Sequence, residues 1–244
     1  LLVYPDSETT GLDVLTRCLD ACGWDLLPSA VIDMYADLPI TEVRYTAGTP
    51  VFAACPFHDA AYHVLPHHPF PGLSRRSPDF QIIGGPRTRL MYPEKMRASM
   101  LYHFAVRAFA FAHKRTLQRW TGQTLVRRTP SPFNFKCGLF RCRPDSWHLS
   151  PHFMVRRNPA PFWGATLHFK YFQDFCARVA KAIAEKQHSN GANEYRRYAE
   201  FLEANPAFSL MAPDSVRYGG SLSLGATVPL CADHPAWQSF RAKG

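Results

Sequence analysis

The clearest alternation of apolar and polar positions lies in the stretch GATLHFKYF at 164–172. Because a β-strand places successive side chains on opposite faces, the pattern predicts an apolar face with Leu167 and Phe169 and a polar face with His168 and Lys170. Two interpretations of the polar face stay open. It fits an amphipathic edge strand exposed to water, and it fits a strand that ends at a cleft and presents an imidazole and an ammonium to an anion or a metal.

Helical spacing of apolar residues marks several other segments. The segment 8–23 predicts a helix with Thr10 as its N-cap and Gly23 as its end. Apolar positions at 172–187 predict a helix directly after the strand, and a further helix is predicted at about 193–204. Together with the strand, these helices indicate an α/β protein.

A short apolar run at 29–35 ends in an acid and an aromatic residue. It predicts a buried strand whose last residues, near Asp33, open into a loop. The segment 94–121 predicts a basic helix, and its basic face suits either water or an anionic membrane surface: Arg107, Lys114, Arg115 and Arg119.

The segment 50–87 is rich in proline, histidine and aromatic residues and has little periodicity. It predicts a long irregular excursion over the surface. Four histidines occur in it without a recognisable ligand framework, which favours loop and surface histidines over a metal site: His58, His63, His67 and His68. Beyond Pro213 the pattern is weak, so residues 206–244 are expected to form an irregular C-terminal tail.

Composition and charge narrow the classes of function. The 244 residues are 46% hydrophobic, and a formal net charge of +9 favours an anionic partner such as a sugar nucleotide, a nucleic acid or an acidic membrane surface. Nucleic acid is disfavoured because the basic residues are scattered in short pairs. Seven cysteines without C-x-x-C spacing argue against a disulfide framework and a zinc site. The absence of a long apolar window predicts a soluble protein.

Six short motifs follow one another along the chain: LLVYP at 1–5, DMY at 33–35, GGPRTR at 84–89, FNFKCGL at 133–139, SWH at 146–148 and TLHFK at 166–170. In this order and spacing they resemble the C-terminal part of a bacterial family 2 glycosyltransferase of the GT-A fold, in the subgroup that carries an Asp-x-Asp-Glu motif. The resemblance covers about residues 1–200. It implies a partial, acceptor-side GT-A domain at 1–205, with a mixed sheet and flanking helices.

The same resemblance implies that the N-terminal nucleotide-binding strands and the Asp-x-Asp carboxylates lie upstream of Leu1. The chain is then expected to be either a piece of such an enzyme, incomplete and inactive alone, or a degenerate member of the family. The implied activity is transfer of a sugar from a nucleotide-sugar donor to an acceptor hydroxyl in bacterial surface glycan synthesis. A divalent cation, manganese or magnesium, is the implied cofactor, and its carboxylate ligands are expected upstream of this chain.

Five residues are candidates for this chemistry. His168 is expected to bind the metal or the diphosphate, and Lys170 on the same face to stabilise the charge of the leaving group. Arg87 and Arg89 are expected to share a strand face and to bind phosphate oxygens. Asp33 is expected to act as a base or to contact the acceptor, and a turn or cap carboxylate is an equal alternative.

A second class of function also fits the sequence. A non-catalytic basic module would bind a membrane surface or a polyanion through the net positive charge. An Asp-x-Asp motif directly before Leu1 would favour the enzyme over this module. Either function is expected in the cytoplasm, with peripheral association with the inner face of the membrane as an open alternative.

Overall fold

Strand β2, Leu26–Met34, is buried at all nine positions and lies inside the main sheet. The protein is described by a computed structural model that covers residues 1–66, 76–77, 80–93, 134–144, 148–155, 158–186 and 192–243. Within these residues it is an α/β fold with a mixed sheet and flanking helices, as the sequence predicts. The predicted helix at 94–121, most of the motif SWH, and His67 and His68 lie outside the described residues.

Three strands join β2 in the main sheet: β1 (Leu2–Val3), β7 (Phe135–Phe140) and β10 (Gly164–Phe169). The strand order is β1-β10-β2-β7. Strand β10 runs parallel to β2, whereas β1 and β7 are antiparallel to their neighbours. The predicted strand in GATLHFKYF is confirmed, but it is an interior strand of the sheet and not an edge strand, because β1 pairs with it at Ala165 and Thr166.

Helices occur where the periodicity of apolar residues predicts them, although the first is capped by Gly11 and not by Thr10. Helix α1 spans Leu12–Ala21 and buries Leu15, Cys18 and Leu19. Two helices that pack against each other follow β10 in the chain: α4, Phe175–Ala184, and α5, Asn193–Ala204. None of the described helices is both long enough and apolar enough to cross a lipid bilayer.

The segment 50–87 has more regular structure than its sequence predicts. Its described part contains helix α2 and strands β3, β4, β5 and β6, and leads into helix α3: Val51–Ala54, Phe57–Asp59, Tyr62–Pro66, Arg76–Ser77, Phe80–Gly84 and Gly85–Met91. The prediction of an irregular excursion is wrong here, because strands only three to five residues long show little period. His63 is exposed as expected, whereas His58 is buried, with Nδ1 3.0 Å from the Asp59 carbonyl.

Two further strands, β8 (His148–Ser150) and β9 (Phe153–Val155), form a three-stranded sheet with β5 in the order β5-β9-β8, and β4 pairs with β6 in a separate two-stranded sheet. The segment 206–244 also contains more regular structure than the expected irregular tail. Strand β11 (Ser215–Arg217) pairs with β3, and helices α6 (Leu224–Thr227) and α7 (Pro235–Arg241) follow. Its buried apolar residues are divided among the three clusters of the core, so they do not follow one period along the segment.

Trp237 of α7 is the main anchor of this C-terminal segment. Its side chain is fully buried beside Tyr4 and Phe162, and its Nε1 donates a hydrogen bond to the Pro5 carbonyl at 3.1 Å. The last helix is thus tied to the first residues of the chain.

We expect Trp237→Ala to lower the free energy of unfolding by about 3–5 kcal/mol, because it leaves a large cavity and an unpaired carbonyl. Leu222→Ala is the control, since Leu222 lies in the same segment with a relative exposure of 53% and should change stability by less than about 0.5 kcal/mol. Urea unfolding followed by circular dichroism measures both. Equal stability of the two variants would contradict a packed C-terminal segment.

Candidate functional site

Asp33 and His168 lie side by side where the two parallel strands end. Asp33 is near the C-terminal end of β2, and the register places His168 of β10 directly opposite it. His168 Nδ1 is 2.9 Å from Asp33 Oδ1, and the two side chains are 33% and 2% exposed, respectively. The polar face of the strand therefore meets an adjacent carboxylate at one edge of the sheet.

Arg87 holds the other oxygen of this carboxylate. Its Nε donates to Asp33 Oδ2 at 2.6 Å, and its Nη2 donates to Asn134 Oδ1 at 2.9 Å. Its Nη1 lies 3.6 Å from an oxygen of Glu194. Each of the three guanidinium nitrogens thus faces a different acceptor side chain.

Two glycines allow Arg87 to approach the sheet. Gly84 has a φ of 153° and Gly85 a φ of 75°, backbone conformations that L side chains rarely adopt. A Cβ at Gly84 would lie 2.7 Å from the Ala61 carbonyl oxygen, and one at Gly85 would lie 2.4 Å from the Tyr62 hydroxyl. Helix α3 can therefore begin against the buried ring of Tyr62, with Arg87 in its first turn.

The electrostatics of the cluster follow from burial and charge pairing. Burial alone would raise the pKa of Asp33, but Arg87 and the hydrogen bond to His168 outweigh it and hold the pKa well below its usual range. Burial lowers the pKa of His168 despite the opposing effect of Asp33. An ionised Asp33 beside a neutral imidazole fixes the tautomer, so that His168 Nδ1 carries the hydrogen and Nε2 the lone pair.

Lys170, one residue beyond β10, completes the cluster. Its Nζ donates to the Tyr198 hydroxyl at 3.1 Å and lies 4.4 Å from the centre of that ring. Tyr198 in turn donates to Glu194. Burial and the nearby Arg87 guanidinium lower the pKa of Lys170 to about 7.

Arg89 does not join this group. It was expected to share a strand face with Arg87, but both lie in helix α3, where residues two apart project in different directions. Its Nε and Nη2 bind the carboxylate of Asp59 at 3.0 and 3.1 Å, and Nη2 also donates to the Leu210 carbonyl at 2.7 Å. Arg89 thus connects helix α3 to β3 and to the C-terminal segment.

The structure brings four of the five predicted site residues together: Asp33, Arg87, His168 and Lys170. It also adds three that the sequence analysis did not single out, Asn134, Glu194 and Tyr198. Asn134 lies within the motif FNFKCGL, and Glu194 and Tyr198 are four residues apart on the helix predicted at 193–204. Helical spacing could have shown that this glutamate and tyrosine share a face.

His168 fits the role of one ligand to a divalent cation. A metal-binding histidine usually donates its other ring N–H to a carboxylate, as His168 does to Asp33. Asp33 itself is unsuited to bind the metal, since its oxygens already accept from Arg87 and His168. No group of three or more histidine, cysteine, aspartate or glutamate side chains suited to a metal occurs among the described residues.

We expect Arg87→Met to destabilise the fold by about 3–5 kcal/mol at pH 7, because it leaves Asp33 buried without its cation. In the native protein, this ion pair contributes stability above the ordinary aspartate pKa of about 3.9 and loses it as the pH falls through the depressed folded pKa. In the variant, burial raises the pKa of Asp33, so the difference between the two proteins should shrink from pH 7 to pH 5.

Urea unfolding at the two pH values measures this effect. Arg17→Ala is the control, since Arg17 and its partner Asp13 are 68% and 76% exposed and the pair should contribute less than about 0.5 kcal/mol. A loss of stability in Arg87→Met no larger than that of the control would contradict a buried, structurally important ion pair.

Gly84→Ala should cost more stability than Gly48→Ala. Both glycines have positive φ, 153° and 85°, but a Cβ at Gly84 meets backbone atoms, whereas nothing lies within 4 Å of one at Gly48. Backbone strain alone should cost about 1–3 kcal/mol at either position, and the clash adds to it only at Gly84. Thermal unfolding of both variants tests this, and equal costs would show that the close approach to Tyr62 is unimportant.

Comparisons with known proteins leave the site to be interpreted from its own residues. No family model matches the chain, and no match to it was found among curated proteins or among solved structures. The fold class and the geometry at the end of strands β2 and β10 are therefore the basis on which a function is proposed.

Proposed function

We propose that the chain is the acceptor-side part of a GT-A glycosyltransferase, which transfers a sugar from a nucleotide-sugar donor to an acceptor hydroxyl in bacterial surface glycan synthesis. The observation that carries the proposal is the convergence of Asp33, Arg87, His168 and Lys170 at the ends of two parallel strands. In open α/β sheets, ligands bind outside the carboxyl ends of the strands. The ordered motifs that resemble this family contain all four residues.

The hydrogen bond between Asp33 and His168 leaves one nitrogen of the imidazole free to bind a metal ion. Asp33 orients the imidazole and leaves the lone pair on Nε2, which is the atom that would bind the cation. When bound, a manganese or magnesium ion would neutralise charge on the diphosphate of the donor. Because Asp33 is buried and both of its oxygens accept hydrogen bonds, its proposed role is to orient His168 rather than to remove a proton from the acceptor.

Lys170 supplies positive charge beside the same edge of the sheet. Its Nζ lies among the rings of Tyr171, Phe175 and Tyr198, between 4.4 and 5.5 Å from their centres. An anion that arrives at the site would favour the charged form of this amine. The leaving diphosphate would therefore be stabilised by an ammonium held in a largely apolar setting, where charge interactions are strong.

A basic module that binds a membrane or a polyanion is less well supported by the described surface. Several exposed arginines have carboxylate partners close by, as in the pairs Arg17 with Asp13, Arg178 with Asp174 and Arg143 with Asp25. Such pairing reduces the local excess of positive charge that a polyanion would need.

His168→Ala in the full-length protein should reduce sugar transfer by more than about 100-fold and weaken manganese binding, because outer-shell partners of metal ligands already contribute about 10–100-fold. His63→Ala is the matched control, since His63 is an exposed histidine on β4. Transfer is measured as release of nucleoside diphosphate from a panel of nucleotide sugars with glycan acceptors, and manganese affinity by electron paramagnetic resonance.

Circular dichroism verifies that both variants are folded. Full activity of His168→Ala would remove His168 from the site. If the unaltered protein transfers none of the sugars but binds anionic vesicles in a salt-dependent manner, the basic module replaces the enzyme.

A further inference from the structure

We propose that Glu194 occupies the place of a phosphate group, and that the site binds a pyrophosphate-type anion between Arg87 and Lys170 when this glutamate side chain swings away. The inference rests on the proposed function, in which the donor carries a diphosphate, and it adds a residue that controls access to the anion site. Glu194 would act as a resident competitor that an incoming anion must displace.

The three contacts of Arg87 differ in a way that points to Glu194. The partners at Nε and Nη2, Asp33 and Asn134, are both 1% exposed and lie at 2.6 and 2.9 Å. The contact at Nη1 is longer, 3.6 Å, and its partner Glu194 has a side chain that is 38% exposed. Replacement of Glu194 by an anion at Nη1 would therefore leave the buried hydrogen bonds of Arg87 intact. Replacement of the partner at Nε or Nη2 would break one of them.

Charge balance also favours an exchangeable carboxylate. The cluster holds two basic side chains, Arg87 and Lys170, and two carboxylates, Asp33 and Glu194. Asp33 is bound directly to Arg87, and among the described residues no carboxylate lies within 4.0 Å of Lys170 Nζ. When Glu194 leaves, the site has an excess of positive charge that a phosphate oxyanion would neutralise.

The hydrogen-bonded path through Tyr198 links both cations to the same glutamate. Lys170 Nζ donates to the Tyr198 hydroxyl, and this hydroxyl donates to Glu194. An anion in place of the Glu194 carboxylate would accept hydrogen bonds from the Tyr198 hydroxyl and from Arg87 Nη1, the two groups that now contact the glutamate. The displaced side chain would move towards water, where a charged group is well solvated.

Binding of inorganic pyrophosphate by calorimetry, in the presence of EDTA, tests the proposal without a metal and without catalysis. Glu194→Gln should bind pyrophosphate about 10-fold more tightly than the unaltered protein, because the competing charge is removed while the shape is kept. Glu200→Gln is the matched control: the same substitution at an exposed position of helix α5 should leave the affinity unchanged. Lys170→Met combined with Glu194→Gln should lose the gain.

Unchanged or weaker pyrophosphate binding in Glu194→Gln, relative to Glu200→Gln, would overturn the proposal, and so would the absence of pyrophosphate binding in both the unaltered protein and Glu194→Gln. Should Glu194→Gln fold poorly by circular dichroism, Glu194→Ala gives the same comparison. Tighter pyrophosphate binding without sugar transfer would keep this inference and refute the glycosyltransferase. Sugar transfer together with unchanged pyrophosphate binding in Glu194→Gln would keep the glycosyltransferase and refute this inference.

Discussion

The buried ion pair between Asp33 and Arg87 is the interaction on which the site depends. A carboxylate whose side chain is only 2% exposed is costly to ionise unless a cation compensates for its lost hydration. Arg87 provides that charge and thereby allows Asp33 to stay ionised and to orient His168. The same guanidinium also reaches Asn134 and Glu194, so one side chain joins strand β2, the start of β7 and helix α5.

The ion pair also depends on an unusual backbone conformation at the two glycines where helix α3 begins, just before Arg87. Gly84 and Gly85 place helix α3 so close to Tyr62 that a Cβ at either position would overlap its neighbours. The amide of Asn134 then donates to the Gly84 carbonyl at 2.9 Å, which holds the end of β6 in position. Backbone shape and charge pairing are thus two parts of one constraint: the glycines bring Arg87 near, and Asp33 makes its burial favourable.

Much of the secondary structure could be predicted from local patterns. The buried run at 29–35, the alternation at 164–172 and the helices after β10 are confirmed, since each follows from periodicity within a short window. The predictions that differ from the structure concern the place of a strand within its sheet and the segments whose apolar residues show little periodicity. Strand β10 is interior because β1 pairs with it from the far end of the chain. Arg87 and Arg89 lie in a helix because the glycines end strand β6 just before them.

For the candidate site, the sequence by itself determined that His168 lies in a strand, that Lys170 follows closely, and that Asp33 comes near the end of a buried strand. It could not determine their partners, because a local period defines which way a side chain points but not what it meets. Asp33 contacts Arg87 across 54 positions and His168 across 135, and Tyr198 reaches Lys170 across 28. Only the tertiary structure decided these contacts, since they arise where separate elements pack together and buried charges must find partners.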